Sequence, residues 1–131
     1  MLLTDYFRSH HDATWDIALQ CGVRHGVIRL PEEESFNITD KDHWRSVYDS
    51  FMSYGLRPVA IEPMPNALHD HIKAGDAHRD ECIDKVIKMF PIMHELEIKT
   101  ICFNFMAHIG WLRTSSDVEE RGGAHVTGFK M

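Results

Sequence analysis

Residues 99–114 read KTICFNFMAHIGWLRT, an almost unbroken apolar run from Ile101 to Met106 that leads directly into Trp111, Arg113 and Thr114. Continuous apolar character suits a strand covered on both faces, as in a parallel α/β sheet. Asn104 is the one polar residue inside the run, and a buried amide needs hydrogen-bond partners or it costs stability. Ligands of open parallel sheets and of (β/α) barrels gather beyond the carboxyl ends of the strands. Trp111, Arg113 and Thr114 follow such an end, so this stretch points to a site.

The rest of the chain alternates strands with helices. A first strand is expected over Leu2 to Phe7, followed by the polar loop Arg8-Ser9-His10-His11-Asp12, whose last residue can cap a helix. Trp15, Ala18 and Leu19 share a face of that helix, and Gly22 stops it. A second strand over Val23 to Leu30 leads into the acidic Pro31-Glu32-Glu33-Glu34, most simply a solvated loop. Thr39 or Asp40 then caps a helix whose Trp44, Val47, Tyr48, Phe51 and Met52 make an i, i+3, i+4, i+7, i+8 stripe. Gly55 ends it.

A third strand is expected over Leu56 to Glu62, with Pro58 removing one ladder donor. Pro63 to Gly75 reads as a long connection, of the kind that is usually functional or disordered. Asp76 is expected to open the longest helix, with Ile83, Val86, Ile87, Phe90 and Met93 buried, Leu96 closing it, and Pro91 kinking it or shifting its end. The fourth strand is the one quoted above, and 115–131 reads as a polar, glycine-rich loop or poorly ordered tail. Such alternation predicts an α/β fold with parallel strands and right-handed crossovers. Four such units make half of a (β/α)8 TIM-type barrel, whose full circuit takes roughly 250 residues.

Composition sets limits on function. A chain of 131 residues with 44% hydrophobic and 26% charged residues suits one soluble domain, here 1–131. No membrane-length apolar run and no leader pattern stand out, so a cytoplasmic location and no membrane partner are expected. The net charge of −6 argues against a nucleic-acid partner, because phosphate contacts need a basic face. Cys21, Cys82 and Cys102 are widely spaced with no CxxC pair, and are expected to be reduced, mostly buried thiols.

Several blocks carry a resemblance. His69-Asp70-x-Ile72-Lys73-x-Gly75 with Arg79-Asp80, then Cys102-Phe103-Asn104-Phe105-Met106, then Trp111-x-Arg113-Thr114, and finally Gly122-Gly123-Ala124-x-Val126-Thr127-Gly128-Phe129 occur in that order. Together they resemble the N-terminal part of the mannonate dehydratase family, over nearly all of this chain but only the first third to half of a typical member. The resemblance implies a xylose-isomerase-like barrel and a hydro-lyase that dehydrates D-mannonate to 2-keto-3-deoxy-D-gluconate in hexuronate (glucuronate) catabolism. It also implies a divalent metal, Mn2+ or Fe2+. The family's metal ligands and its catalytic His and Tyr belong to the C-terminal half, so no catalytic or metal residue carries over. Ser9 and Ala107 stand where the family commonly has Trp and Pro, and Lys130 where it has an acidic residue.

Removing a proton beside a carboxylate while hydroxide leaves the next carbon calls for a carboxylate clamp and donors for hydroxyls. Arg113, with its planar fork, is the leading clamp, and Lys73 a weaker one beside Asp70. Asn104 either bonds substrate hydroxyls or ties strands together inside the core. Trp111 either floors a sugar pocket or covers the barrel end. Thr114 and His69 complete the candidate substrate-binding set. His69 and His71 would point the same way on an extended segment, as metal ligands do, yet loop histidines are more often solvated. His10 and His11 carry less weight still, and Glu62 is placed like a barrel ligand without partners.

Two other readings remain open: a metal-dependent sugar isomerase or epimerase of the same superfamily, and a non-catalytic remnant or assembly module. An open half-barrel has two sheet edges and an unfinished interior, which predicts pairing with another copy or with a missing half.

Overall fold

Strands β1 (Thr4–Phe7), β2 (His25–Ile28), β3 (Arg57–Ile61) and β4 (Thr100–Ile101) lie side by side in chain order, all parallel. This is seen in a computed structural model that describes residues 1–103 and 113–130. Helix α1 (Ala13–Gln20) joins β1 to β2, α2 (Lys41–Ser53) joins β2 to β3, and α3 (Asn66–Ala74) with α4 (Arg79–Glu95) joins β3 to β4. Parallel neighbours demand such crossovers, because the chain must return to the starting end before it pairs again. The α/β architecture is the expected one, with half the strands of a closed (β/α)8 barrel. Among the described residues no helix is long and apolar enough to cross a membrane.

Residue alternation on the strands decides where the core sits. In β2, Gly26 and Ile28 are buried while His25 and Val27 are half-buried, so the sheet has one covered and one open face. Onto the covered face pack Trp15 and Ala18 of α1, Trp44 and Phe51 of α2, Leu68 of α3, and Cys82, Met89, Ile92 and Met93 of α4. At its centre the Trp15 ring stacks on Phe51 with centroids 4.1 Å apart, and Phe7 meets Trp15 edge-on at 6.1 Å. Met52, expected in the α2 stripe, is exposed.

The caps follow the sequence. Asp12 accepts from Thr14 N at 2.8 Å, and Asp40 accepts from Asp42 N at 2.9 Å, each satisfying a backbone donor that the first helical turn leaves unpaired.

Several expectations are corrected. The connection after β3 is not a loop, because Asn66–Ala74 forms α3. It has no side-chain N-cap, and Gly75 closes it in the left-handed conformation at φ 64°, where a Cβ would be strained. Helix α4 begins at Arg79 rather than Asp76; Asp76 lies in the turn between α3 and α4, its carboxylate accepting from His78 N at 2.8 Å and pairing with His71 Nδ1 at 2.7 Å. The helix runs through Pro91 to Glu95. It buries Cys82, Met89, Ile92 and Met93 and leaves Ile83, Ile87 and Phe90 exposed, Ile87 by 57%. Its apolar surface is wider than one packed layer covers, and the sheet takes a stripe offset from the one expected.

Residues 115–128, expected as loop or tail, form an antiparallel hairpin of β5 (Ser115–Glu120) and β6 (Ala124–Gly128) around a 3-10 turn at Arg121–Gly123. Its strands are polar and mostly exposed, so no apolar alternation announced them; only Val118 and Val126 make an apolar cross-strand pair. Cys21 is exposed rather than buried, while Cys82 is buried and Cys102 half-buried.

Candidate functional site

Pairing continues one residue beyond each strand: Arg29 N donates to Phe7 O at 2.9 Å, Glu62 N to Ile28 O at 2.9 Å and Cys102 N to Ile61 O at 2.8 Å. The carboxyl rim is thereby held level, and the loops that leave it start from fixed positions.

Between the loops after β1 and β2 lies a cleft of about 420 Å³, lined by Arg8, Ser9, His10, His11 and Asp12 on one side and Arg29, Leu30, Glu32 and Glu33 on the other. Of the larger hollows, one of about 550 Å³ has Thr4, His25 and Arg57 in its wall, residues in register across the amino ends of the strands. That hollow belongs to the open inner face at the end where barrels keep stability rather than chemistry. Another, of about 610 Å³, lies between the Glu32–Glu34 loop and the start of α3. This hollow and the 420 Å³ cleft both open from loops at the carboxyl rim, and the smaller cleft is favoured because it brings Arg8, His10, His11 and Arg29 together.

Its charges are largely matched internally. His10 Nε2 stands 2.6 Å from Glu33 Oε1 and ties the two loops together; the imidazole hydrogen bond holds the Glu33 carboxyl below the usual carboxylate range. Arg29 pairs with Glu32, which raises the guanidinium further, with Tyr6 adding to the effect. Asp12 is lowered chiefly by its Thr14 hydroxyl and amide, with Arg8 and His11 assisting through charge. His11 contacts Asp16 at 3.2 Å and stacks on Tyr54 at 4.5 Å.

On the next part of the rim, the Cys102 thiol is pushed up by burial first and by Glu62 beside it second. Among the described residues no three His, Cys, Asp or Glu side chains converge to hold a metal ion. The residues described here do not fit the divalent metal that the resemblance implies.

Of the residues expected from sequence, Arg113, Thr114, His69 and Lys73 do not line this cleft. Asn104 and Trp111 lie outside the described residues. Arg113 and Thr114 stand together at the root of the hairpin: Arg113 Nε donates to Thr127 Oγ1 at 3.1 Å, and Thr114 Oγ1 accepts from Lys130 N at 2.8 Å. His69 and Lys73 are on α3, where His69 is buried to 1% exposure. On a helix, residues two apart diverge by about 200° rather than aligning, so His69 is in the interior and His71 on the surface with Asp76. Lys73 Nζ is 3.3 Å from Asp70 Oδ1, close enough for charge pairing but not aligned for a hydrogen bond.

Arg8, His10, Arg29 and Glu33 were the residues sequence reasoning underweighted. The available signal was their place just past the ends of two strands; the pairing of His10 with Glu33, 23 positions on, was not readable.

Comparison with known proteins agrees with this architecture. A family model described as D-mannonate dehydratase (UxuA) matches residues 7–131. The mannonate dehydratase of Oceanobacillus iheyensis is 30% identical over 102 residues, covering 78% of this chain and 29% of that protein. That of Streptococcus uberis is 37% identical over 103 residues, covering 79% and 28%. The crystal structure of mannonate dehydratase from Streptococcus suis serotype 2 superposes with a TM-score of 0.75 at 18% identity, covering 98% of this chain and 37% of that one, a likeness of fold. The chain thus spans under a third of the length of these two sequence relatives. With four parallel strands in barrel order and a family match over nearly its whole length, the chain belongs to the D-mannonate dehydratase (UxuA) family.

Proposed function

We propose that this chain supplies part of the substrate-binding wall of a mannonate dehydratase, a lyase that removes water from D-mannonate to give 2-keto-3-deoxy-D-gluconate in hexuronate breakdown. The observation that carries the reading is the charged cleft at the carboxyl rim of a four-stranded parallel sheet, in a chain of this family. An aldonate brings one carboxylate and several hydroxyls. The rim offers guanidinium, imidazole and carboxylate groups to receive them, and the chain's task is binding and orientation.

Manganese or iron, with the groups that move protons, belongs in this reading to residues other than those described. Asn104, Trp111, Arg113, Thr114, His69 and Lys73 remain candidates for contacts made once the barrel is complete. The exposed apolar stripe of Ile83, Ile87 and Phe90 and the edges of β1 and β4, unpaired among the described residues, support association with the remaining barrel units or with a second copy. A cytoplasmic setting goes with this reading.

The test combines the chain with the C-terminal part of the Streptococcus uberis relative, supplied separately or fused, and follows keto-deoxy acid formation from D-mannonate with added manganese. Product from mannonate and none from keto-sugars is expected. Turnover of keto-sugars alone would make the protein an isomerase and end this reading.

A further inference from the structure

We propose that Arg8 and the His10–Glu33 pair form a recognition subsite for a hydroxy-carboxylate, Arg8 taking the carboxylate and His10 the hydroxyl beside it. The choice of ligand class rests on the sugar-acid reading above, while the residues are chosen by the cleft itself.

Arg8 is set apart by having no partner among the described residues. Within the cleft Arg29 is held by Glu32, His10 by Glu33 and His11 by Asp16, and the Asp12 carboxylate caps α1. Among the described residues Arg8 makes no hydrogen bond or ion pair, and Asp12 stands close enough to feel its charge. A planar guanidinium with its donors free matches the two oxygens of a carboxylate. The residue is also well anchored. It directly follows Phe7, which is fully buried and whose carbonyl is taken by Arg29 N, so the fork projects from the end of a fixed strand.

His10 supplies the second contact. In the tautomer that donates Nε2–H to the Glu33 carboxylate, Nδ1 is left as an acceptor, which suits a hydroxyl. The Glu33 backbone is itself fixed, its carbonyl accepting from Phe36 N at 2.9 Å. The two loops thus offer one cationic fork and one oriented acceptor to the same 420 Å³ space.

The test titrates the 15N-labelled chain with D-gluconate, acetate and sorbitol at constant ionic strength and follows backbone amide shifts by NMR. Gluconate should shift the amides of residues 8–11 and 29–33 saturably, sorbitol should not, and acetate should bind more weakly than gluconate. Arg8→Gln should weaken gluconate about tenfold, and Arg8→Lys should recover only part of that. His10→Ala should erase the preference for gluconate over acetate. Each variant is exposed at the surface, and a native-like dispersion of its other amide signals verifies folding. Equal shifts with sorbitol, shifts confined to other parts of the chain, no saturable binding, or an unchanged affinity in Arg8→Gln overturns the proposal. Gluconate binding at Arg8 without mannonate turnover in the recombined enzyme would leave the subsite standing and remove the reaction. Turnover with an unchanged KM in Arg8→Gln would do the reverse.

Discussion

Gly26 of β2 lies directly against the Phe7 ring of β1: a Cβ placed on Gly26 would fall 2.9 Å from Phe7 Cδ2 and 3.2 Å from Ile28 Cγ2. Phe7 is fully buried among Trp15 and Phe51 and has nowhere to retreat. Gly26→Ala should therefore destabilise the chain by about 1–3 kcal/mol, as overpacking does. Thermal unfolding followed by circular dichroism checks this, and a midpoint unchanged from the parent would show that the ring can move.

The same cluster sets the largest expected loss. Phe51 stacks on Trp15 at 4.1 Å with no solvent exposure, so Phe51→Ala removes both the transfer free energy and the packing of its neighbours. A cost of about 3–5 kcal/mol is expected. Urea unfolding gives the size, and loss of the near-ultraviolet tryptophan signal would locate it.

Acid should destabilise the fold. Glu33, Asp76 and Glu95 all sit below the ordinary carboxylate range, held there first by hydrogen bonds from His10, His71 and Lys41 respectively. A carboxyl lowered in the folded state contributes stability that is present above its unfolded value, near 4, and disappears as pH falls through the folded value. Melting temperature should thus hold between about pH 5 and 7 and fall below about pH 4.5. All three groups are exposed, so the decline should weaken at high salt. A melting temperature that rises on acidification would contradict these pairings.

Thiol reactivity should separate the cysteines. Cys21 is exposed, whereas burial raises the pKa of both Cys82 and Cys102 and keeps them as thiols. Ellman's reagent should modify one thiol quickly and the other two only slowly or after denaturation. Mass spectrometry of the labelled chain identifies the fast site, and prompt labelling at Cys82 would refute its burial.

How much of this was legible in advance varied with the physics behind each element. Asp12 was readable as a cap, and Asp40 as one of two candidates with Thr39, because a cap acts on backbone amides two or three residues away. The aromatic stripe of α2 was readable because spacing alone brings Trp44 and Phe51 to one face. Helix α3 was not, since it lacks a side-chain cap and carries His69 where a stripe would show an apolar residue. Nor was the buried face of α4: Ile83, Ile87 and Phe90 are as apolar as the residues that pack, and only contact with the sheet chooses between them.

The sequence alone determined the strand-helix alternation, the parallel order and the family, because each rests on local periodicity, capping or ordered blocks along the chain. Only the tertiary structure decided that Arg8 stands without a partner among the described residues, beside a His10 fixed by Glu33. A side chain's partner across a cleft depends on how two loops are brought together by strands far apart in sequence, and no local pattern encodes that distance.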